Sequence, residues 1–420
     1  MTQLRFHIEA ANEATLKVIQ DSRPIWFDVR PAIDALPGMT RDVILHAGPP
    51  IEWRRMCEPQ RNGAICAALF EGLAGTRAEA IARIETGDIH LAPCHEYGAV
   101  GGMAGITSAS TPVAMVRDEA NETVGCSLLF QGPRGQLRDR DQYEGETVRQ
   151  WRWLAEVLGP VLQSAIRVKG GIDVRQIAAK ALQMGDECHN RNNAGSALLL
   201  RELLPSLVRL RVDAATLRDS VEYLAWAEQF SLCVSMAAAK AAADAAGGIA
   251  HSTIVTTLAR NGVDFGIRVS GLGDTWFTAP ANPVDGLLFS SEWGEKDTVA
   301  DMGDSSIMET VGLGGYVQAA APVLQQFVGG SFQRAVRLGE EMRQITAGVL
   351  PDYRIPNLDF AEAPVATDIR HVVRTGIAPI IDTAIAHRKG GVIGAGQTRA
   401  PMDCFNKALV AFAARYRENS

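Results

Sequence analysis

Seven consecutive polar or ionisable side chains, Asp186, Glu187, Cys188, His189, Asn190, Arg191 and Asn192, stand between two apolar helical patterns. Such a block holds the groups that proton transfer and anion binding need. Histidine has the side-chain pKa nearest neutrality. The first turn of a helix presents unpaired N–H groups at the positive end of its dipole. His189, with Asp186 and Glu187, is therefore expected to handle a proton. Asn190, Arg191 and Asn192, with the helix start behind them, are expected to hold an anion. Asn192 or Asn193 suits the N-cap of the second helix. The plain alternative is a capped, solvated helical hairpin, but a cap needs only one or two such residues.

Other stretches offer related chemistry. A strand from residue 43 ends at His46, just before a Gly-Pro turn, and open α/β sheets place ligands at that end of a strand. A second strand, 89–93, runs into Cys94-His-Glu-Tyr-Gly-Ala-Val-Gly-Gly-Met-Ala-Gly105, whose backbone could line an anion nest with His95 and Glu96 as proton-transfer groups. Cys94 as a nucleophile would lack a third, orienting group. Arg268 shares a strand face with Gly266 and Ser270 and has room for a bidentate carboxylate or phosphate contact, a surface salt bridge being the alternative. Residues 301–315 lead small hydroxyls and carboxylates into a glycine cluster. There Glu309 and the N–H groups of Gly314 and Gly315 could meet a substrate, or simply form a turn. A last glycine-rich stretch, 390–401, carries Arg399, a further candidate for substrate contact.

Familiar signatures fail. Residues 394–399 lack the third glycine of a dinucleotide fingerprint, and no Walker Gly-Lys-Ser/Thr occurs. Gly303-Asp-Ser-Ser-Ile lacks the closing glycine of a nucleophile elbow. No His-x-x-x-His pair exists, so zinc would need scattered ligands such as His46, His95, Asp186 and His189. No cofactor and no metal is expected.

The elements that position these residues follow from periodicity. Helices are predicted at 12–21, 64–73, 77–85 and 148–168, and strands at 24–30, 43–46 and 89–93. An antiparallel pair is expected at 112–117 and 123–130, then an exposed charged crossing at 134–149. Alanine-rich helices fill 216–246, a strand and turn begin at 264, and a helix is predicted at 316–327. The fold class is α/β, with two glycine-rich α/β lobes, about 1–165 and 250–420, around a helical middle section, 166–249, that carries the 186–192 loop.

Composition narrows the function classes. With 420 residues and a net charge of −7, and no Lys/Arg-rich run, a nucleic-acid partner is disfavoured. Forty glycines imply many tight turns and close backbone approaches. Seven cysteines form no Cys-x-x-Cys pair, which points to a reduced, cytoplasmic setting. The N-terminus lacks the apolar core of a signal peptide. The most apolar helical pattern, 221–246, contains Glu222, Glu228, Lys240 and Asp244, so a buried domain helix is expected rather than a membrane span.

Five ordered blocks carry a family resemblance: Leu45-His-Ala-Gly-Pro-Pro-Ile51, Met184-Gly-Asp-Glu-Cys-His-Asn-Arg-Asn192, Asn261-Gly-Val-Asp-Phe-Gly-Ile-Arg-Val-Ser-Gly-Leu-Gly273, Asp304-Ser-Ser-Ile-Met-Glu-Thr-Val-Gly-Leu-Gly-Gly315 and Gly394-Ala-Gly-Gln-Thr-Arg-Ala-Pro-Met402. Over nearly its whole length the chain resembles the AllG (YlbE-like) family. The resemblance implies a subunit of oxamate carbamoyltransferase, working with an FdrA-type partner similar to acyl-CoA synthetases and a third subunit. The implied reaction is phosphorolysis of oxalurate, a ureido acid, to oxamate and carbamoyl phosphate. A homo- or hetero-oligomer is expected, with the apolar alanine-rich helices as faces that a neighbour could cover. The Ser-Thr-Arg-Thr and His-Pro-x-Gln blocks of ordinary transcarbamoylases are absent. Phosphate attack on a ureido carbonyl needs an anion cradle, a cation for the carboxylate, N–H donors for the oxyanion and a proton donor for the leaving amide. Glycine loops, Arg268 or Arg191, and His189 or His95 are the candidates. Hydrolysis of a related amide, or a non-catalytic scaffold subunit, are the alternatives.

Overall fold

The helix Phe230–Ala245 is buried on nearly every side, and its alanines explain how. Small side chains let neighbouring backbones approach closely. At Gly125, in the strand Thr123–Leu128, an added Cβ would lie 2.2 Å from the Ala237 carbonyl oxygen, so only glycine lets the sheet rest on this helix. The surfaces expected to need a neighbouring subunit are thus covered on this helix by the chain itself. The computed structural model describes residues 2–132 and 144–417.

The sheet on this helix has five strands, in the order Ala99–Val100, Thr123–Leu128, Pro112–Asp118, Pro24–Pro31 and Ile172–Asp173. All its pairings are antiparallel except the first. Beside it Val43–His46 and His90–Pro93 form a parallel pair that aligns His46 with Pro93. The predicted strands therefore stand, and the chain is a mixed α/β protein.

Several helix limits differ from expectation for identifiable reasons. The first helix spans Thr2–Asp21 rather than 12–21, because Ile8, Ala11, Asn12, Thr15 and Ile19 bury one face at helical spacing. The helix expected at 64–73 is Glu58–Phe70, with Pro59 in the first turn, where a missing N–H costs nothing. The helix expected at 148–168 becomes Glu144–Trp153, a π-turn Leu154–Leu158 and Gly159–Lys169. Pro160 cannot donate to the preceding turn, and the wider turn accommodates it. Most of the charged crossing expected at 134–149 lies outside the described residues.

From residue 175 to 246 the described chain is helix and connection: Val174–Gln183, Asn193–Leu207, Ala214–Trp226 and Phe230–Ala245. The C-terminal part contributes a four-stranded antiparallel sheet, in the order Phe277–Pro280, Asp264–Val269, Val255–Asn261 and Met302–Gly303. A three-stranded sheet orders Asp285–Leu288, Val392–Arg399 and Ile380–Ala386, so the glycine-rich stretch 390–401 is mostly a central strand and not a loop. The helix expected at 316–327 is broken into Gly314–Ala320, Pro322–Leu324 and Gln325–Val328. Pro322 supplies no N–H, and Val317 leaves helical geometry at φ −129° and ψ 26°. One buried cluster joins Trp26, Leu203, Phe230, Met302 and Ala386. Among the described residues no helix is long and apolar enough to cross a membrane.

Candidate functional site

The loop between Val174–Gln183 and Asn193–Leu207 is held by its own carboxylates. Asp186 is fully buried, and its Oδ2 accepts the Gly195 N–H at 2.8 Å. The helix start is therefore already satisfied by an anion from within the loop. Asn192 occupies the N-cap position without capping, and its Nδ2 donates to the His189 carbonyl and to Gln229 Oε1, both at 2.7 Å. Arg191 is likewise engaged: Nε donates to the Gly185 carbonyl at 3.0 Å and lies 3.4 Å from Asp186 Oδ1. The expectation that Arg191 and the helix start hold an external anion meets a place filled by Asp186.

Glu187 shapes the rest of the turn. Its carboxylate accepts the N–H groups of His189 at 3.2 Å and Arg191 at 2.9 Å, and also that of Asn190. Burial nevertheless pushes it up to about 8, against the downward pull of those donors. With the loop fixed, the His189 ring is directed at Glu309, and Nδ1 lies 2.8 Å from Glu309 Oε1. Glu309 is fully buried and also accepts from Gly315 N at 3.0 Å and Asp382 N at 3.2 Å. Gly314 has φ 61°, and a Cβ there would fall 2.1 Å from Glu309 Oε1. The glycine cluster, expected to face substrate, instead makes room for Glu309.

His189 and Asn190 line a cavity of about 510 Å³. Its wall is mostly apolar, with Phe130, Met236, Phe289 and Val392, and Ser305 adds a hydroxyl. Among the described residues no lysine or arginine lines it. With Nδ1 on Glu309, Nε2 is the ring nitrogen left for the cavity, and no described hydrogen bond engages it. A histidine oriented by a buried carboxylate, with one nitrogen free, is the arrangement a general acid or base requires.

Behind His189 lies a polar core that the sequence did not announce. Asp382 is fully buried, accepts from Gln318 Nε2, and is pushed well above the usual carboxylate range by burial and then by Glu187 and Glu309. Glu309 Oε2 has no hydrogen-bond partner, and Asp382 meets the carboxyl of Glu187. Burial and mutual repulsion raise Glu187 and Asp382 together, so that pair holds on to a proton more tightly than free carboxylates do. A lone aspartate inside the apolar run Ile380–Ala386 was the available signal.

The remaining candidates go elsewhere. His95 is buried, its Nε2 lies 3.6 Å from Asp304 Oδ1, and neither ring nitrogen has a hydrogen-bond partner. Burial, followed by Lys240 and Arg268, holds it well below the usual histidine range. Asp304 accepts from Gly48 N at 2.7 Å and Gly101 N at 3.0 Å, and burial pushes it up to about 7. His46 is buried, hydrogen-bonds the Ala47 carbonyl at 2.8 Å, and is pushed down to about 4 by burial. Arg268 is buried, stacks over Trp276 and pairs with the exposed Asp274 at 3.3 Å, while its Nε has no hydrogen-bond partner. Arg399 pairs with Glu341 in a different cleft. Cys94 is sealed, and burial raises its thiol well above the ordinary value. Among the described residues no group of three or more His, Cys, Asp or Glu could hold a metal ion. Arg260, fully buried, binds Asp301 at 2.7 Å, the Gly303 carbonyl at 2.5 Å and Thr383 at 2.9 Å, and so braces the Asp304 turn; sequence reasoning passed over it.

Comparison with known proteins agrees with the whole-chain architecture. A family model described as oxamate carbamoyltransferase subunit AllG matches residues 89–305. The chain is 42% identical over 411 residues to oxamate carbamoyltransferase subunit AllG of Escherichia coli K12, covering 97% of this chain and 98% of that one. It is 43% identical over 411 residues to the uncharacterized protein YahG of the same organism, covering 97% of this chain and 87% of that one. A crystal structure of a conserved protein of unknown function from Enterococcus faecalis V583 superimposes with a TM-score of 0.95 at 42% identity, over 98% of this chain and 99% of that one.

Proposed function

The chain belongs to the AllG family, and from that premise we propose that it is a carbamoyltransferase subunit whose His189 moves a proton in the phosphorolysis of a ureido acid. The relative's name refers to oxamate, and a reaction that takes oxalurate to oxamate and carbamoyl phosphate fits that name. One observation carries the reading: His189 lines the cavity while Nδ1 is held by buried Glu309.

A phosphate oxygen attacks the ureido carbonyl carbon, the carbon–nitrogen bond to the oxamate half breaks, and that nitrogen needs a proton as it leaves. His189 supplies it from Nε2, and Glu309 stabilises the charged ring before the transfer. Glu187 and Asp382, which hold a proton more tightly than free carboxylates do, tune Glu309 from behind.

Among the described residues the cavity wall carries no lysine or arginine, whereas the substrates are a carboxylate and a phosphate. Cationic groups from a partner would complete such a site, which fits a chain that acts in a complex with an acyl-CoA-synthetase-like FdrA-type partner. The same apolar lining favours a second reading, a scaffold subunit that binds its partner without chemistry. Reconstitution separates the two. The complex is assembled with wild-type chain or with His189→Ala, and carbamoyl phosphate is measured from oxalurate and phosphate. Equal yields would leave only the scaffold.

A further inference from the structure

A cleft of about 620 Å³ opens where the helix Phe332–Ile345 crosses the end of the strand Val392–Arg399. Arg334, Arg337 and Arg399 all line it. Arg334 and Arg337 stand three residues apart and share a helix face, where like charges repel unless something lies between them. Two carboxylates also line the cleft, and they neutralise unequally. Glu341 is taken by Arg399, whose Nη1 also donates to the Ala378 carbonyl at 2.8 Å. Asp285 is 84% exposed and 3.6 Å from Arg334, a loose pair that water screens. Arg337 is exposed and has no described partner. In a chain of net charge −7, this lining keeps an unpaired cation beside a weakly paired one.

The cleft wall also contains Gln397, a side chain only 2% exposed. Its Nε2 donates to Gln318 Oε1 at 2.7 Å, and Gln318 donates in turn to Asp382. That order fixes the amide with its nitrogen inward, and Gln397 Oε1 is left without a hydrogen-bond partner. The chain continues from Asp382 N to Glu309 Oε1 at 3.2 Å and on to His189 Nδ1 at 2.8 Å. One strand serves both ends: Gly394 and Ala395 line the His189 cavity, while Gln397 and Arg399 line the cleft.

We infer that this cleft is a second binding site, separate from the His189 cavity, for a small carboxylate or phosphate anion held by Arg337 and Arg334. Planar guanidinium groups match both anions by paired N–H donors. An anion there sits at the far end of the hydrogen-bond chain that orients His189. The inference does not depend on His189 being catalytic.

Isothermal titration of the full chain with inorganic phosphate, and separately with oxamate, tests it and distinguishes the two anion types. Wild type is expected to bind at least one of them, more weakly as salt is raised. Arg337→Ala, a change at an exposed position, should weaken that binding about tenfold or more, as loss of a charge-assisted contact does. Arg334→Ala with Arg337→Ala should abolish it, and His189→Ala should leave it within about twofold. No binding of either anion to wild type, binding indifferent to the arginine variants, or binding lost only with His189→Ala would each overturn the second site.

Discussion

His189 and His95 are both buried histidines beside a buried carboxylate, yet their surroundings differ in the two respects that decide function. His189 Nδ1 makes a 2.8 Å contact with Glu309, and the ring lines a cavity of about 510 Å³. His95 Nε2 stands 3.6 Å from Asp304, neither of its ring nitrogens is bonded, and it is not part of that cavity wall. The first ring is oriented and has a free nitrogen; the second is packed edge-on against Trp276, with ring centroids 5.8 Å apart. A histidine next to an acid is thus common to the candidate site and to a packed interior position, and the cavity separates them.

The largest effect expected belongs to the packed interior. Arg260 holds Asp301, Gly303 and Thr383 at full burial behind Asp304. Removing one partner of a buried ion pair costs about 3–5 kcal/mol, so Arg260→Leu should unfold at markedly lower denaturant. A midpoint within experimental error of wild type would contradict a bracing role. Next comes the cavity side: His189→Ala should lower turnover of the assembled complex about a hundredfold, equivalent to roughly 2.7 kcal/mol. His95→Ala should lose stability instead, with turnover in the folded fraction near wild type. Steady-state rates and melting curves on the same preparations break the comparison if the two variants behave alike.

A smaller effect is the slope of stability with pH. Burial holds Asp304 up to about 7 and Glu187 up to about 8, against ordinary values of 3.8 and 4.5. The fold therefore keeps protons that the unfolded chain has released, and this stabilisation, full at low pH, is lost as pH rises through 7 to 8. His46, pushed from 6.5 down to about 4, and His95, also depressed, act in the opposite sense: their contribution is full above 6.5 and is lost as pH falls. The two opposing effects overlap below 6.5, and from 6.5 to 8 only the carboxyl effect remains. Melting temperature should fall across that interval. Asp304→Asn should flatten the fall and leave the pH–rate profile in place, whereas Glu187→Gln should alter both. A melting temperature that climbs from pH 6.5 to 8 would refute the assignment.

Much of this was legible before any coordinates. The strands at 24, 43, 89, 112 and 123 follow from apolar runs bounded by turn residues, and the loop 186–192 stood out by its polarity. What stayed hidden depends on contacts distant in sequence. Glu309 meets His189 across 120 positions, and Asp382 joins them from a strand whose pattern reads as plain core. Arg399 looked like part of a glycine loop beside the substrate, and alternation along a central strand sends it to another cleft. At Arg191 and Arg268 a nearby carboxylate competes with any ligand, and local sequence does not show which carboxylates arrive.

The smallest effect expected is at Arg191, and it sharpens the comparison most because sequence logic favours the opposite. An arginine next to a helix start suggests an anion clamp, but Gly195 N already donates to Asp186 Oδ2 at 2.8 Å, and Arg191 closes over that carboxylate from the other side. Burial raises Asp186 above the ordinary carboxylate range, so the arginine steadies a charge that the interior disfavours. The guanidinium is about a third exposed, and solvent screening reduces the pair to roughly 1 kcal/mol. In a chain of this size that is about one or two degrees in melting temperature. Arg191→Ala should therefore lower Tm slightly and leave the apparent affinities for phosphate and ureido acid within about twofold of wild type. A clamp would give the reverse, an unchanged Tm and a loss of anion affinity near tenfold. Should that occur, the helix start is open to substrate after all, and Asp186, not Arg191, is the group that must move aside.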